Sequence, residues 1–388
     1  MTERPEPQFS RGKTILFSCI IIGGFFLLAE VAASFILDSF ASTGRFDERK
    51  LESRYHPFAG WEPTPDQVVR GPNWSVEVDE NGFSRTPYDG QDADYRIVVT
   101  GGSTMFGVGS STFETTVPSL LETILAEKTG KTVDVINLGV RGFQTFQEAM
   151  RLREFLLTNR VDLILAVTAR NDAFRALSEP GIRSALLTDQ VYDNAVPLVR
   201  DAELQKPIAL NIDGFLRQYS ALADLTFRAL RRVMNLNAPA ASAKSHADPS
   251  VIPKRAEEMI KNLAMMEALS EASGSRFAFI LQPTAFSLAG YDYTAGHVPL
   301  DVQREQADFE RAFYAALRER ADGISWYDLS GALDGPAETL YIDHTHYNDE
   351  GARLLAGEIA VIAEQLLLQT PGLQTPRLQT PRPRLENP

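Results

Sequence analysis

The sequence predicts an α/β protein built on a parallel sheet covered on both faces, carried behind one membrane-spanning helix. Two observations predict the sheet. From Tyr95 onward, short β-branched or apolar runs alternate with longer runs of helical spacing. Chemistry-bearing residues also gather just after the strand runs, where such sheets bind ligands. A third observation predicts the membrane helix. Residues 14–37 are almost wholly apolar and long enough, at about 1.5 Å per residue, to cross a hydrocarbon core of about 30 Å.

Taken in order, residues 1–13 form a short tail carrying Arg4, Arg11 and Lys13, while Asp38 follows the apolar stretch. The positive-inside rule keeps that tail in the cytoplasm and exports the rest, giving a single-pass inner-membrane protein with a periplasmic domain. A cleaved signal peptide is the rival reading, because Val31-Ala32-Ala33 offers small residues for cleavage. The apolar stretch exceeds a usual signal core, so an uncleaved anchor is expected. Cys19, the only cysteine, lies too close to Lys13 for a lipoprotein signal and reads as a small apolar residue. Glu30, an ionisable group inside the span, either contacts another helix or reaches the interface.

Residues 38–94 are polar and rich in Gly and Pro, and read as a β-rich stalk or collar. Within them residues 74–78 alternate apolar and polar, and Asp79-Glu80-Asn81-Gly82 supplies turn chemistry before Phe83. Five strand runs follow, at residues 96–100, 133–138, 161–168, 277–281 and 324–329. Helical spacing marks residues 114–128, 144–157, 256–272, 305–320 and 350–367. The main domain therefore spans 95–367, with its alternation broken by an insertion at 172–251. That insertion holds a helix-like piece at 215–233 and a Pro/Ala/Ser linker at 239–250, and is placed to act as a lid or as decoration. Residues 368–388 repeat LQTP and lack core-forming side chains, the composition of a disordered tail. A formal charge of −13 leaves no basic stripe for phosphates, so no nucleic-acid partner is expected.

The first strand run ends in Gly101-Gly102-Ser103-Thr104-Met105-Phe106-Gly107. A phosphate-binding loop would need Lys before the Ser/Thr, and none is present. A dinucleotide fingerprint fails in its glycine spacing, and a G-x-S-x-G elbow fails at Met105. Alone, the two glycines and the serine fit a tight turn that exposes a hydroxyl. At the far end of the domain stands Asp343-His344-Thr345-His346. A serine nucleophile needs a base, and the base needs a carboxylate to hold its tautomer. A spacing of three sets Asp343 and His346 in one turn, as a candidate pair; a surface histidine is the alternative. Of the other three histidines, His56 sits in the collar and His246 in the linker. His344 and His346 lack the further Cys or His that a zinc site requires, so no metal and no cofactor is implied. The intervening strand ends carry Gly139-Val140-Arg141-Gly142 and Ala169-Arg170-Asn171-Asp172. A glycine N–H and an Asn amide suit an oxyanion, although each is also common as a helix start or cap.

These four blocks, in this order and topology, resemble the SGNH/GDSL hydrolase superfamily over residues 96–367, outside the insertion. The variant block GGSTMFG, preceded by the Asn81-Gly82-Phe83 turn, is similar to its membrane-anchored bacterial members. The resemblance implies a flavodoxin-like three-layer α/β/α sandwich with a five-stranded parallel sheet, matching the five strand runs. It further implies Ser103 as nucleophile, His346 as base and Asp343 as its orienter. Ser103, Gly142 and Asn171 would form the oxyanion hole. Gly102 stands where the family has Asp, and Ala169-Arg170 where it has glycines. Arg141 and Arg170 are candidate contacts for an anionic substrate group, with ion pairing inside the fold as the alternative. The implied activity is esterase, on an acyl ester of a lipid or glycan, O-acetyl among them. The other readings are an O-acyltransferase acting on an envelope polysaccharide and a catalytically silent subunit of a membrane complex.

Overall fold

In the computed structural model, the described residues are 11–41, 53–178 apart from 57, 89 and 91, then 222, 226, 248–288, 300–333 and 340–368. The expected 215–233 helix (222 and 226 excepted), most of the 239–250 linker, the LQTP tail, His246 and His297 lie outside them.

Five strands form the expected sheet. They are β5 (Tyr95–Gly101), β6 (Val133–Asn137), β7 (Leu163–Thr168), β8 (Arg276–Leu281) and β9 (Trp326–Asp328). The spatial order is β6-β5-β7-β8-β9, all parallel. A parallel sheet needs cover on both faces, and the strand residues supply it by alternation. Val99, Leu165, Val167 and Ile280 pack on one face with Leu121 and Leu125 of α3 (Val117–Thr129) and Leu355 and Ile359 of α8 (Asp349–Leu368). Val98, Ile164, Ala166 and Phe279 pack on the other, beneath α4 (Thr145–Leu156), α5 (Arg170–Ser178), α6 (Ile252–Ala272) and α7 (Leu300–Arg318). Each helix ends or starts where local chemistry permits. The Thr116 hydroxyl caps α3 by accepting from Ser119 N–H, and Gly130 closes it in the left-handed region.

One feature departs from expectation. The chain re-enters helix at once after β7, forming α5, so Asn171 and Asp172 lie in a first turn instead of ending the pattern. Their helix propensity is poor; burial of Ala173, Ala176 and Leu177 outweighs it. The region read as a β-rich stalk or collar contacts the sheet domain, as in Trp61 Nε1–H to the Arg141 carbonyl and Gln147 Nε2 to the Ala59 carbonyl. It forms two antiparallel hairpins, β1 (Ser53–His56) with β2 (Gly60–Pro63), and β3 (Gln67–Arg70) with β4 (Ser75–Val78). The anticipated turn at 79–82 is present, Asp79 Oδ1 accepting from Asn81 N at 2.8 Å and Phe83 N at 2.9 Å, with Gly82 at φ 76°. Ser84 then bridges to Asn137, covering the exposed edge of β6.

A separate compact unit holds, among the described residues, 11–41, 222 and 226. In it α1 (Arg11–Ala41) contains a span, Leu16–Ser34, of mean hydropathy 2.2, long and apolar enough for a membrane span or signal sequence. Glu30 accepts the backbone N–H of Leu222 at 3.1 Å, so its carboxylate meets a helical residue of this same chain.

Glu148 of α4 is wholly buried, accepting from Thr168 Oγ at 2.7 Å and facing Thr100 Oγ at 3.5 Å. Burial pushes its carboxyl well above the usual range, against the pull of those hydroxyls. A carboxyl raised in the folded state stabilises fully below its unfolded value and loses that contribution as pH climbs through the folded one. Glu148→Gln should therefore melt with wild type near pH 4 and above it at pH 8. The gain should be about 2–4 °C per kcal/mol relieved, and melting curves at the two pH values check it.

Candidate functional site

The site lies beyond the carboxyl ends of β5, β6 and β7 and in the loop before α8. Gly101 and Gly102 bring β5 to an abrupt stop: a Cβ on Gly101 would lie 2.5 Å from the Val167 carbonyl. One on Gly102 would collide with the Asn171 amide. A short helix, α2 (Ser103–Phe106), starts at the serine. Ser103 N–H is thus a first-turn donor with no partner further back in the helix. The hydroxyl is only partly buried.

Ser103 Oγ lies 2.8 Å from His346 Nε2, although 243 residues separate them in sequence. His346 Nδ1 lies 2.7 Å from Asp343 Oδ2. An ionised carboxylate only accepts, so Nδ1 carries a hydrogen, and in the neutral ring Nε2 is then the acceptor facing the serine. Asp343 Oδ1 meanwhile accepts the N–H groups of Thr345 at 2.7 Å and His346 at 2.8 Å. Burial alone would raise the Asp343 carboxyl, but the His346 ring and these backbone donors hold it far below the usual range. It is ionised at any physiological pH.

The loop carrying the pair is held at several points. Ile342 N–H donates to His346 C=O at 2.9 Å, and Tyr347 Oη donates to Pro283 C=O at 2.7 Å. Asn348 Oδ1 accepts from Gly351 N–H and so starts α8. His344 does not join the triad. Its ring stacks on Phe286 at 4.7 Å, and burial with Arg170 nearby lowers its pKa to about 4. It is neutral at pH 7.

Gly142 sits at φ 78°, a left-handed conformation that glycine takes without strain. Asn171 Nδ2 donates to Phe143 C=O at 2.7 Å, tying the α5 start to the Gly142 loop and leaving its second hydrogen available. Ala169, where the resemblance expects glycine, is held at φ 123°, a conformation that costs a side-chain-bearing residue about 1–3 kcal/mol. Its carbonyl accepts from Ala173 N–H at 3.0 Å, and it is fully buried.

The structure brings Ser103, Asp343, His346 and Asn171 together, with Gly142 beside them, while Arg170 turns into the fold. Arg170 is turned inward, 6% exposed, with its guanidinium over Phe174 and 5.8 Å from the Phe286 ring. Its Nε–H donates to Thr345 Oγ1 at 3.1 Å, and the same nitrogen lies 3.2 Å from Glu310 Oε2. Thr284 Oγ1 donates to the other Glu310 oxygen. As a contact for substrate anions Arg170 is thus badly placed: its charge is matched inside the fold, and it braces the loop of His346. Arg141 lies over Trp74 at 5.7 Å, and its carbonyl accepts from Trp61 Nε1 at 3.1 Å. Sequence reasoning missed Glu310, Thr345 and Trp61. Glu310 had a signal, being a charged residue on the apolar stripe of Phe313, Tyr314 and Leu317.

No family model matches the chain, and no curated protein matches it. Solved structures similar to it include an α/β hydrolase from the Lake Arreo metagenome, at 15% identity over 72% of this chain and 100% of that one, TM-score 0.37. Another is a lipolytic G-D-S-L protein of Desulfitobacterium hafniense, at 12% identity, 69% and 99% coverage and TM-score 0.37. A third is a psychrotrophic esterase of Pseudoalteromonas, at 13% identity, 71% and 99% coverage and TM-score 0.38.

Arg170→Met leaves Glu310 buried without its counter-charge, which should cost about 3–5 kcal/mol at pH 8. Burial already raises the Glu310 carboxyl, and losing Arg170 raises it further. The variant's deficit in melting temperature should accordingly shrink as the pH is lowered, because the further-raised carboxyl takes up its proton more readily.

Proposed function

We propose that the chain is a serine esterase that cleaves an acyl ester through an acyl-serine intermediate. The observation that carries this is the continuous line of contacts Ser103 Oγ–His346 Nε2 and His346 Nδ1–Asp343 Oδ2, at 2.8 and 2.7 Å. A bare imidazole nitrogen aimed at a hydroxyl is a general base in position, and the ionised carboxylate behind it stabilises the imidazolium that forms.

In this reading Ser103 Oγ attacks the ester carbonyl as its proton passes to His346 Nε2. The carbonyl oxygen becomes an oxyanion beside Ser103 N–H, Gly142 N–H and the free hydrogen of Asn171 Nδ2. Collapse of the tetrahedral adduct expels the alcohol, which takes the proton from His346 and leaves acyl-Ser103. Water, deprotonated by His346, then attacks the acyl carbon in the same geometry and frees the acid. Asp343 remains ionised throughout.

Arg11 and Lys13 before the apolar span Leu16–Ser34 and Asp38 after it support an anchor with its N-terminus in the cytoplasm, and hence an acyl ester on the outer side of the membrane. A fluorophosphonate probe should label the full-length protein, and Ser103→Ala should abolish labelling with the fold intact. Lack of labelling in folded wild type would sink the reading. Asn171→Ala should lower kcat by about 10²–10³, and Asp343→Asn by about 10⁴, on an activated ester.

A further inference from the structure

We propose that Trp61 is a positioning residue for the oxyanion loop, which makes the β1–β2 hairpin a working part of the catalytic site. The inference rests on the esterase reading and adds to it a residue that none of the four motif blocks contains.

Three contacts converge on the loop from this one indole. Trp61 Nε1–H donates to the Arg141 carbonyl at 3.1 Å, immediately before Gly142. Its benzo edge lies over Gly142 itself, where a Cβ would stand 3.5 Å from Cζ2. Its ring meets Phe143 edge to face, at 5.4 Å between centroids and 74° between planes. Phe143 is fully buried, and its carbonyl receives the Asn171 amide. Trp61 therefore touches all three residues of the turn that offers one oxyanion donor and orients another.

The turn needs such support. Gly142 is left-handed and without a side chain, so it has no rotamer of its own to lock it. The peptide joining Arg141 to Gly142 carries the N–H proposed to meet the oxyanion, and Trp61 grips the carbonyl at the other end of that same peptide unit. Because the unit is planar, fixing its carbonyl fixes the direction of its N–H.

The hairpin itself is anchored to α4, the helix that follows the turn. Gln147 Nε2 donates to the Ala59 carbonyl at 2.8 Å. His56 Nδ1 accepts from Ala59 N–H at 3.0 Å, so its Nε2–H is the group donating to Glu154 at 2.7 Å. Arg151 lies 3.6 Å from Glu62, next in sequence to Trp61. The oxyanion loop is thus enclosed between a helix and a hairpin fastened to that helix.

The test uses full-length protein in detergent, with Trp61→Phe and Trp61→Ala beside wild type and Ser103→Ala. Hydrolysis of p-nitrophenyl acetate gives kcat and KM. An aryl boronic acid, whose tetrahedral serine adduct places an oxygen in the oxyanion hole, gives an inhibition constant. Trp61→Phe keeps an aromatic ring and loses the N–H. It should lower kcat roughly 10-fold, less than the 10²–10³ of deleting a donor outright. KM and the melting temperature should hold, and boronate affinity should weaken by the factor lost in kcat/KM. A packing role alone would lower the melting temperature without weakening the boronate selectively. Wild-type kcat and boronate affinity in folded Trp61→Phe would overturn the inference and leave the esterase reading standing. So would a rise in KM alone, which would make Trp61 a wall of the substrate pocket. Should Trp61→Ala fail to fold, Trp61→Phe decides. Absence of Ser103-dependent hydrolysis in wild type overturns the esterase reading, and this inference with it.

Discussion

Burial of β7 on both faces is the constraint from which the site follows. All six of its residues, Leu163 to Thr168, are buried, and its ladder partners β5 and β8 lie on either side. A strand so enclosed has no solvent face, so apolar helices must cover the sheet above and below. Parallel pairing then sends every crossover back to the same edge and gathers the strand-end loops at the other. Ser103 and Asn171 follow adjacent strands of one sheet, which is why residues far apart in the chain can share a carbonyl-sized space.

Strand ends place side chains only coarsely, and two buried polar devices refine them. Arg170 sits between the loop of His346 and Glu310 of α7, with Thr345 taking its Nε–H. A buried charge pair contributes little net stability, yet it has few alternative arrangements, so it suits the task of fixing one loop against another. The strained backbone at Ala169 belongs to the same junction. Directly after this residue, Arg170 turns inward and Asn171 donates to the Phe143 carbonyl. Such strain persists where the surrounding packing over-determines it.

The hairpins of residues 53–78 extend this logic beyond the sheet. One bridges through Ser84 to the edge of β6, and the other lays Trp61 on the Gly142 turn. Their polar, glycine-rich composition suits a spacer equally well, and their role emerges only from what they touch. Glu30 offers the same lesson in the unit containing the apolar helix. A carboxylate in an apolar stretch demands a partner, and the partner is a backbone N–H about 190 residues away in sequence.

The sequence by itself determined the layered α/β class, the five strands in order, the apolar helix and the four blocks holding Ser103, Gly142, Asn171, Asp343 and His346. These were legible because each depends on local pattern: alternation, helical spacing, turn chemistry and short motifs. Even the 79–82 turn follows from four adjacent residues. Only the tertiary structure decided that Arg170 faces Glu310 instead of the open site, that His344 stacks on Phe286, that α5 forms at once after β7, and that Trp61 reaches the Gly142 turn. Each of these is a contact between residues distant in sequence, chosen by packing against partners that no local window contains. Propensity and spacing describe what one segment can do alone; burial against another segment selects among those states.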